Sequence, residues 1–217
     1  MKQRNLVLLT AAVMLIGFLV ATALYQRQQA ATAARLAAEH AAGLTRPYSP
    51  TLGAAEAPVV IVEFFDPACG TCQAFHAPLK QLLDDHPGQL RLVLRYAPFQ
   101  VGAEHIVALL EAARRQDRFW PVLDRLMETQ DHWKPGHEAE LGLAWPQLAG
   151  LGLDLDRLRL DMGDAEISRR INQDQDDASR LKVDTTPTFY VNGHPLPGFG
   201  FSVLRQTVDA ALKMAGH

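Results

Sequence analysis

Residues 63–72 of the chain read EFFDPACGTC, and this stretch decides the fold. It completes an apolar, β-branched run that predicts a short buried strand over residues 59–65. The dipeptide Asp66-Pro67 that follows predicts a turn and suits the start of a helix. Cys69 and Cys72, the only cysteines of the chain, therefore fall in the first turn of a predicted helix and one turn later.

The spacing of the two cysteines indicates thiol chemistry. The reactive form of cysteine is the thiolate, and the unpaired N–H groups of a helix N-terminus stabilise negative charge. A first cysteine in this position can have its pKa lowered from ~8.5 to roughly 3.5–7.5. We therefore predict that Cys69 is the attacking thiolate, that Cys72 is the resolving thiol, and that the two form a reversible disulfide. A strand, a tight turn and a CxxC motif at a helix start are typical of a thioredoxin-like redox centre.

Two other interpretations of the cysteine pair are open at this point. A CxxC motif is also half of a zinc site, but the chain has no second pair. His76 is a candidate third ligand, which would suit a copper-binding protein with a soft ion such as Cu(I). A purely structural disulfide is disfavoured, because so small a loop constrains the unfolded chain little. We expect no resident metal and no cofactor.

Length and charge bound the function classes. The chain has 217 residues and a formal net charge of −3 at pH 7. This length allows one domain of about 165 residues with an N-terminal appendage, which is enough to bury a sizeable core. The charge balance gives no indication of nucleic-acid binding.

Residues 1–25 have the composition of a membrane anchor or an export signal. Lys2 and Arg4 precede residues 6–25, which carry no charged side chain. A transmembrane helix needs ~20 such residues, so we favour an uncleaved anchor. Residues 21–23, Ala-Thr-Ala, form an alternative cleavage site for a secretory signal. The sequence thus predicts a single-pass protein of the cell inner membrane with its catalytic domain facing the periplasm, or a soluble periplasmic protein after cleavage.

The rest of the chain predicts a stalk, a linker and one α/β domain. Residues 26–50 are rich in alanine and then in proline, which predicts a helical stalk and an extended linker. The domain is predicted over residues 51–217, with a block of helices over residues 98–182 and a hairpin turn at Asn192-Gly193. The order strand–helix–strand, helical block and hairpin–helix is that of a thioredoxin fold with an inserted helical domain.

Several polar residues of the helices also have predicted places. Asp164 is expected to cap the last helix of the inserted block, and Ser202 is expected to cap the final helix of the chain. Five charged residues of the helix after Asp164 are expected to form a solvated face: Arg169, Arg170, Asp174, Asp176 and Asp177.

These features resemble the DsbA family of thioredoxin-fold thiol–disulfide oxidoreductases. The resemblance covers about residues 51–215, and its motifs are the strand with its CGTC sequence at residues 60–72 and the loop TPTF at residues 186–189. It implies that Pro187 is a cis proline packed beside the cysteine pair. It also implies that Thr186 pairs with the backbone of a substrate.

Further site residues follow from the same resemblance. Gly70 and Thr71, between the cysteines, are expected to contact substrate. Glu63 matches the buried acid of the family, and a carboxyl group in an apolar strand should have a raised pKa and could relay the proton of Cys72. An edge-exposed surface acid is the alternative interpretation of Glu63.

The resemblance implies an enzyme that forms disulfides in exported proteins and exchanges electrons with a membrane redox partner. Two departures favour an alternative, a disulfide reductase or isomerase of the same fold. Gly70-Thr71 stands where strongly oxidising members have Pro-His, and a less stable thiolate makes a weaker oxidant. Thr186 before the proline resembles the reductase and isomerase branches. The oxidase direction is preferred, with the reductase or isomerase direction as the alternative.

Overall fold

The computed structural model describes residues 20, 22, 24–28, 43–136 and 138–216. The chain divides into two compact units, residues 1–42 and residues 43–217, and the described residues of the first unit are helical. None of the helices in this described part has the length and apolar character needed to cross a membrane. Most of the predicted span at residues 6–25, and residues 29–42 of the predicted stalk, lie outside the described residues.

The second unit contains a five-stranded sheet with strand order β1-β3-β2-β4-β5. Strands β2 and β3 are parallel, and the other neighbouring pairs are antiparallel. The strands are β1 (Thr51–Gly53), β2 (Val59–Phe65), β3 (Leu90–Tyr96), β4 (Thr188–Val191) and β5 (His194–Pro195). The predicted central strand is confirmed, and six of its seven residues are buried because helices cover both faces of the sheet.

Helices cover the sheet and fill the connection between β3 and β4. They are α1 (Gly70–Asp85), α2 (Ala103–Arg114), α3 (Phe119–Glu128), α4 (Gln130–Trp133), α5 (Leu141–Ala144), α6 (Leu155–Met162), α7 (Ala165–Arg180) and α8 (Phe201–Ala215). A 3₁₀ turn at Trp145–Leu148 follows α5. Helix α1 connects the parallel strands β2 and β3, and α2 to α7 form the insertion. The predicted thioredoxin-type fold with a helical insertion is therefore confirmed.

Alternation along β2 separates two apolar layers. Ile61 and Phe65 belong to the larger core, which includes the buried stripe of α1, whereas Val62 and Phe64 belong to a smaller core that includes Leu44. Side chains two residues apart on a strand share a face, so Glu63 projects on the side of Ile61 and Phe65. The central strand thus carries its one acidic residue towards the helix of the two cysteines.

The C-terminal hairpin follows its sequence signal, but the cap of the last helix does not. Asn192 and Gly193 both have positive φ, 47° and 83°, as the tight hairpin turn requires. Pro195 lies in the edge strand β5, where a missing N–H costs no ladder bond. The prediction for Ser202 is wrong, because α8 begins at Phe201 and Gly200 occupies the N-cap position. The prediction for Asp164 is confirmed, since its carboxylate accepts a hydrogen bond from the N–H of Glu166 at 2.7 Å.

The predicted solvated face of α7 is wrong for two of its charged residues. Asp174 and Asp177 are buried, and both accept hydrogen bonds from the guanidinium of Arg95 on β3, which is itself fully buried. Asp177 also receives two hydrogen bonds from Arg46, at 2.7 and 2.8 Å. Tyr48 donates its hydroxyl hydrogen to Asp174 at 2.7 Å. The periodicity of the helix could not reveal this cluster, because its two cations lie elsewhere in the chain: Arg95 is on β3 and Arg46 precedes β1.

The charge cluster ties residues 43–50 to the domain. Leu44 and Ser49 are buried, and the carbonyl oxygen of Gly43 accepts a hydrogen bond from Arg95. The compact unit accordingly begins at Gly43, whereas the sequence placed the start of the domain near Thr51. Burial alone would raise the pKa of Asp177, but the hydrogen bonds from Arg46 and Arg95 outweigh it and lower that pKa.

Removing one member of this cluster should destabilise the domain strongly. Asp174→Ala leaves the buried Arg95 without one of its two carboxylates, so we expect the free energy of unfolding to fall by about 3–5 kcal/mol. Asp176→Ala is the matched control, because Asp176 is exposed on the same helix and its loss should change stability by about 0.5 kcal/mol or less. Urea unfolding of both variants measures the difference. Equal losses in the two variants would contradict a stabilising role for the cluster.

Candidate active site

Cys69 lies at the junction between β2 and α1. The strand ends at Phe65, and the N–H of Cys69 donates a hydrogen bond to the carbonyl oxygen of Asp66 at 3.0 Å, which closes the turn. Cys69 is the N-cap residue of α1, with extended backbone angles (φ −81°, ψ 122°). The N-cap is the position that faces the unpaired N–H groups of the first helical turn. A half-buried sulfur is thereby placed where a negative charge is stabilised.

The register of β4 brings a second loop to the same place. Strand β4 is antiparallel to β2, with Thr188 opposite Phe64, so the residues that precede β4 reach the end of β2 where Cys69 follows. The Sγ of Cys69 lies 3.2 Å from the carbonyl oxygen of Thr186, to which the protonated thiol donates. The peptide bond between Thr186 and Pro187 is cis. The structure therefore brings together Cys69 and the Thr186–Pro187 loop, which are more than a hundred residues apart in sequence.

The pKa of Cys69 is lowered from 9.0 to about 5. The largest cause is a hydrogen bond from the thiol of Cys72, and burial opposes it. A hydrogen bond from the Thr186 side chain and those from the backbone N–H groups of Cys72 and Thr71 lower the pKa further. Cys69 is consequently almost wholly ionised at neutral pH, and a thiolate is the nucleophilic form of cysteine.

Cys72 has the opposite character. It is buried, and burial raises its pKa well above 9.0. Its hydrogen bond to Cys69 and the negative charges of Glu63 and Cys69 raise the pKa further. The two cysteines form no disulfide in this structure. The two sulfurs therefore differ in charge and in access to solvent: Cys69 is a half-buried thiolate at neutral pH, and Cys72 is a buried neutral thiol.

Glu63 lies beneath this pair in the apolar layer of β2. The residue is only 4% exposed, so the interpretation as an edge-exposed acid is wrong. Burial raises the pKa of Glu63 from 4.5 to about 8, and the charge of Cys69 adds to the effect. A carboxyl group that titrates near pH 8 can give up or take a proton under physiological conditions.

Asp66 is a residue of the site that sequence reasoning treated only as part of a turn. Its buried carboxylate accepts the N–H of Ala68 at 2.7 Å and the N–H groups of Phe99 and Gln100 at 2.8 Å. Burial raises the pKa of Asp66 to about 6, against the effect of these hydrogen bonds. One side chain thus joins the active-site turn to the loop that enters the insertion. The Asp-Pro dipeptide was the available signal, but it gave no indication of the second loop.

Gln130 is a second residue that the sequence did not identify. It belongs to α4 in the insertion, and its side-chain amide donates hydrogen bonds to the carbonyl oxygens of Pro67 and Cys69. A single glutamine carries no motif, so no sequence signal could have found it. Gly70 is exposed beside this contact, and Thr71 is half-buried.

His76 is engaged elsewhere. Its Nε2 lies 2.8 Å from the Oδ1 of Asp124 on α3, an acid that also pairs with Lys80. Burial lowers the pKa of His76, and the carboxylate of Asp124 opposes that effect. Within residues 43–136, 138–216 and the few described positions before them, no group of three or more His, Cys, Asp or Glu side chains could hold a metal ion. The described structure thus assigns His76 to a contact between α1 and the insertion.

Aromatic side chains extend an apolar surface from the site. The ring of Phe75, one turn after Cys72, stacks on Phe189 at a centroid distance of 5.6 Å. It also contacts Phe199 at 5.8 Å and Phe201 at 5.7 Å. Phe199 is 68% exposed, which is unusual for a ring of this size.

A family model described as thioredoxin matches residues 44–210. The chain belongs to the thioredoxin family. Within this family it is a DsbA-like chain: the probable disulfide bond formation protein D of Bacillus anthracis is 30% identical over 174 residues, which cover 75% of this chain and 78% of that protein. The crystal structure of a thioredoxin-like oxidoreductase from Silicibacter pomeroyi superposes with a TM-score of 0.69 at 32% identity and covers 79% of this chain and 97% of that one.

A third relative is much longer than this DsbA-like chain. The Na(+)/H(+) antiporter NhaA 3 of Salinispora tropica is 35% identical over 167 residues, which cover 75% of this chain and 24% of the antiporter. The chain therefore spans about a quarter of the length of this relative.

The buried acid of this DsbA-like site should make stability depend on pH. The pKa of Glu63 is raised from 4.5 to about 8, so its contribution to stability is complete below pH 4.5 and is lost as the pH rises to 8. Glu63→Gln keeps the shape of the side chain without its charge. At high pH its free energy of unfolding should exceed that of the wild type by about 2 kcal/mol or more.

Urea unfolding of the reduced protein below pH 4.5 and above pH 8 measures the effect of this variant. Glu56→Gln is the control, because Glu56 is exposed and its charge should matter little at either pH. Wild type and Glu63→Gln with equal stability at the higher pH would show that the acid carries no buried charge.

Proposed function

We propose that the chain is a thiol–disulfide oxidoreductase that forms disulfides in exported proteins through the pair Cys69 and Cys72. One observation carries this proposal. The thiol of Cys69 is half-exposed at the N-cap of α1 with a pKa of about 5, and it lies against a buried thiol whose pKa is raised well above 9.0. A stable thiolate beside a second sulfur makes the disulfide between them easy to reduce, so the oxidised pair is an oxidant.

Substrate oxidation would proceed in two exchange steps. A substrate thiolate attacks the Sγ of Cys69 in the oxidised enzyme, the bond from Cys69 to Cys72 breaks, and Cys72 leaves as a thiolate that takes up a proton. A second substrate thiolate then attacks the substrate sulfur of the mixed disulfide, and Cys69 leaves as a thiolate. The substrate loses two electrons and the enzyme gains them. The low pKa of Cys69 favours this last departure, because thiols of lower pKa leave faster.

Glu63 is the proposed proton relay for Cys72. It shares the buried side of β2 with the second thiol, and its pKa of about 8 allows it to donate a proton to the leaving Cys72 or to accept one in the reverse reaction. The negative charge of Glu63 raises the pKa of Cys72, so the protonation of the two groups is linked.

The surroundings of Cys69 suit an extended polypeptide substrate. Thr186 and Pro187 lie beside the sulfur, Gly70 is exposed, and the proposed substrate contacts include Thr71 between the cysteines. The exposed ring of Phe199 adds apolar surface next to Phe75. Unfolded exported chains present both backbone and apolar side chains, which supports them as the substrate class.

The proposed location is outside the cytoplasm, with residues 6–25 as an inner-membrane anchor, residues 26–42 as a stalk, and residues 43–217 as the catalytic domain with its insertion at 98–182. The uncharged run of residues 6–25 supports the anchor. A membrane redox partner would then reoxidise the enzyme by accepting two electrons. N-terminal sequencing of the mature protein tests the anchor, and a start after residue 23 would replace it with a cleaved signal.

Exchange chemistry should depend on the two cysteines in different ways. Cys69→Ser removes the nucleophile and should abolish turnover of a dithiol or disulfide peptide. Cys72→Ala keeps the nucleophile but lacks the resolving thiol, so it should accumulate mixed disulfides with oxidised substrate proteins. Non-reducing electrophoresis and mass spectrometry detect these adducts. Full turnover by Cys69→Ser would refute the proposed chemistry.

The reduction potential distinguishes the oxidase from the reductase or isomerase alternative. Oxidants of this kind lie near −120 mV and reductants near about −270 mV. We expect an intermediate value, because the low pKa of Cys69 favours the oxidant whereas the Gly70-Thr71 dipeptide lacks a histidine to stabilise the thiolate further. Equilibration with glutathione buffers measures it. A value at the reductant end would exclude the oxidase direction.

A further inference from the structure

Gln130 connects the helical insertion to the backbone of the active-site turn. It is the first residue of α4, it is 1% exposed, and its Nε2 lies 2.8 Å from the carbonyl oxygen of Pro67 and 3.2 Å from that of Cys69. Both hydrogens of a buried amide are thus used on the turn that holds the reactive sulfur. Burying an amide costs free energy unless the amide is hydrogen-bonded, so these two hydrogen bonds favour a single position of the Gln130 side chain.

The helix that carries Gln130 is held firmly. Trp133, at the other end of α4, is fully buried, and its indole N–H donates to the carbonyl oxygen of Leu126 on α3 at 2.8 Å. Gln130 therefore approaches the turn from an element that is packed into the insertion.

The contact with the carbonyl of Cys69 has a geometrical consequence. The same oxygen accepts the N–H of Gln73 at 3.0 Å, which is the first backbone hydrogen bond of α1. Two donors from different elements thereby fix the plane of the peptide between Cys69 and Gly70. This plane sets the direction of the following N–H groups of the first turn. Cys69, as the N-cap residue, lies at the end of α1 where those groups have no backbone partner.

We propose that Gln130 is a positioning residue, through which the insertion holds the first turn of α1 so that the positive N-terminal end of the helix stays beside the sulfur of Cys69. This inference rests on the proposed thiol–disulfide exchange. It adds that a residue of the helical insertion influences the reactivity of Cys69. Gln130 itself does not touch the sulfur. It acts through its hydrogen bonds to the carbonyl oxygens of Pro67 and Cys69.

The chain offers a matched control for this role. Gln73 on α1 also links the two parts of the domain, since its Nε2 donates to the carbonyl oxygen of Met127 on α3 at 2.9 Å. Gln73→Met removes one side-chain hydrogen bond to the insertion and leaves the turn untouched. Gln130→Met has the same change of side chain and removes the bonds to the turn.

The test compares the two variants as full-length reduced protein with two readouts. Ultraviolet absorbance of the thiolate gives the pKa of Cys69, and equilibration with glutathione gives the reduction potential. Gln130→Met should raise that pKa by about one unit and shift the equilibrium with glutathione about tenfold towards the disulfide, equivalent to about 30 mV. Gln73→Met should leave both values unchanged, although thermal unfolding should show a loss of stability in each variant.

Three results would overturn the proposal. The first is a folded Gln130→Met variant with unchanged pKa and potential, and the second is an equal shift in the two variants. If Gln130→Met does not fold, NMR of the wild type replaces it, and the side-chain amide resonance of Gln130 should shift with pH at the midpoint of the Cys69 titration. A resonance of Gln130 that does not change with pH is the third result that would overturn the proposal. A wild-type Cys69 with the pKa of a free thiol would instead remove the proposed function.

Discussion

The stabilisation of one negative charge, on the sulfur of Cys69, is the constraint on which the site depends. A thiolate in a half-buried place is unfavourable unless donors surround it. Cys69 lies at the N-cap of α1, beside the unpaired N–H groups of the first turn, and hydrogen bonding from Cys72 is the largest cause of its lowered pKa. The parallel crossover from β2 through α1 to β3 makes this arrangement possible, because it starts a helix directly at the end of a buried strand.

Burial and hydrogen bonding dominate at different positions within a few residues. Cys72, Glu63 and Asp66 lie in the apolar interior, and each has a raised pKa for that reason. Cys69 lies at the boundary with solvent, where hydrogen bonds outweigh burial. This contrast gives two identical side chains different chemistry, one as an anion that attacks or leaves and one as a thiol that needs a proton acceptor before it reacts.

Buried polar contacts join the active-site turn to distant parts of the domain. Asp66 and Gln130 bind the backbone of the turn to the entry loop and to α4 of the insertion. On the other side of the sheet, Asp177 of α7 binds both Arg95 of β3 and Arg46, which fixes residues 43–50 to the domain. Such contacts are directional, so they specify one arrangement of insertion and sheet where apolar packing alone would allow several.

The sequence by itself determined the local elements and the reactive pair. Three signals extend over only a few residues each: the β-branched run at residues 59–65, the CxxC spacing and the Asn192-Gly193 turn. They predict the strand, the start of the helix and the hairpin. Only the tertiary structure decided that Gln130 and Asp66 serve the turn, that Asp174 and Asp177 are buried, and that Gly200 rather than Ser202 caps the last helix. The physical reason is that burial and hydrogen-bond partners depend on residues far apart in the chain. A charged helix face looks the same in sequence whether water or a buried arginine covers it.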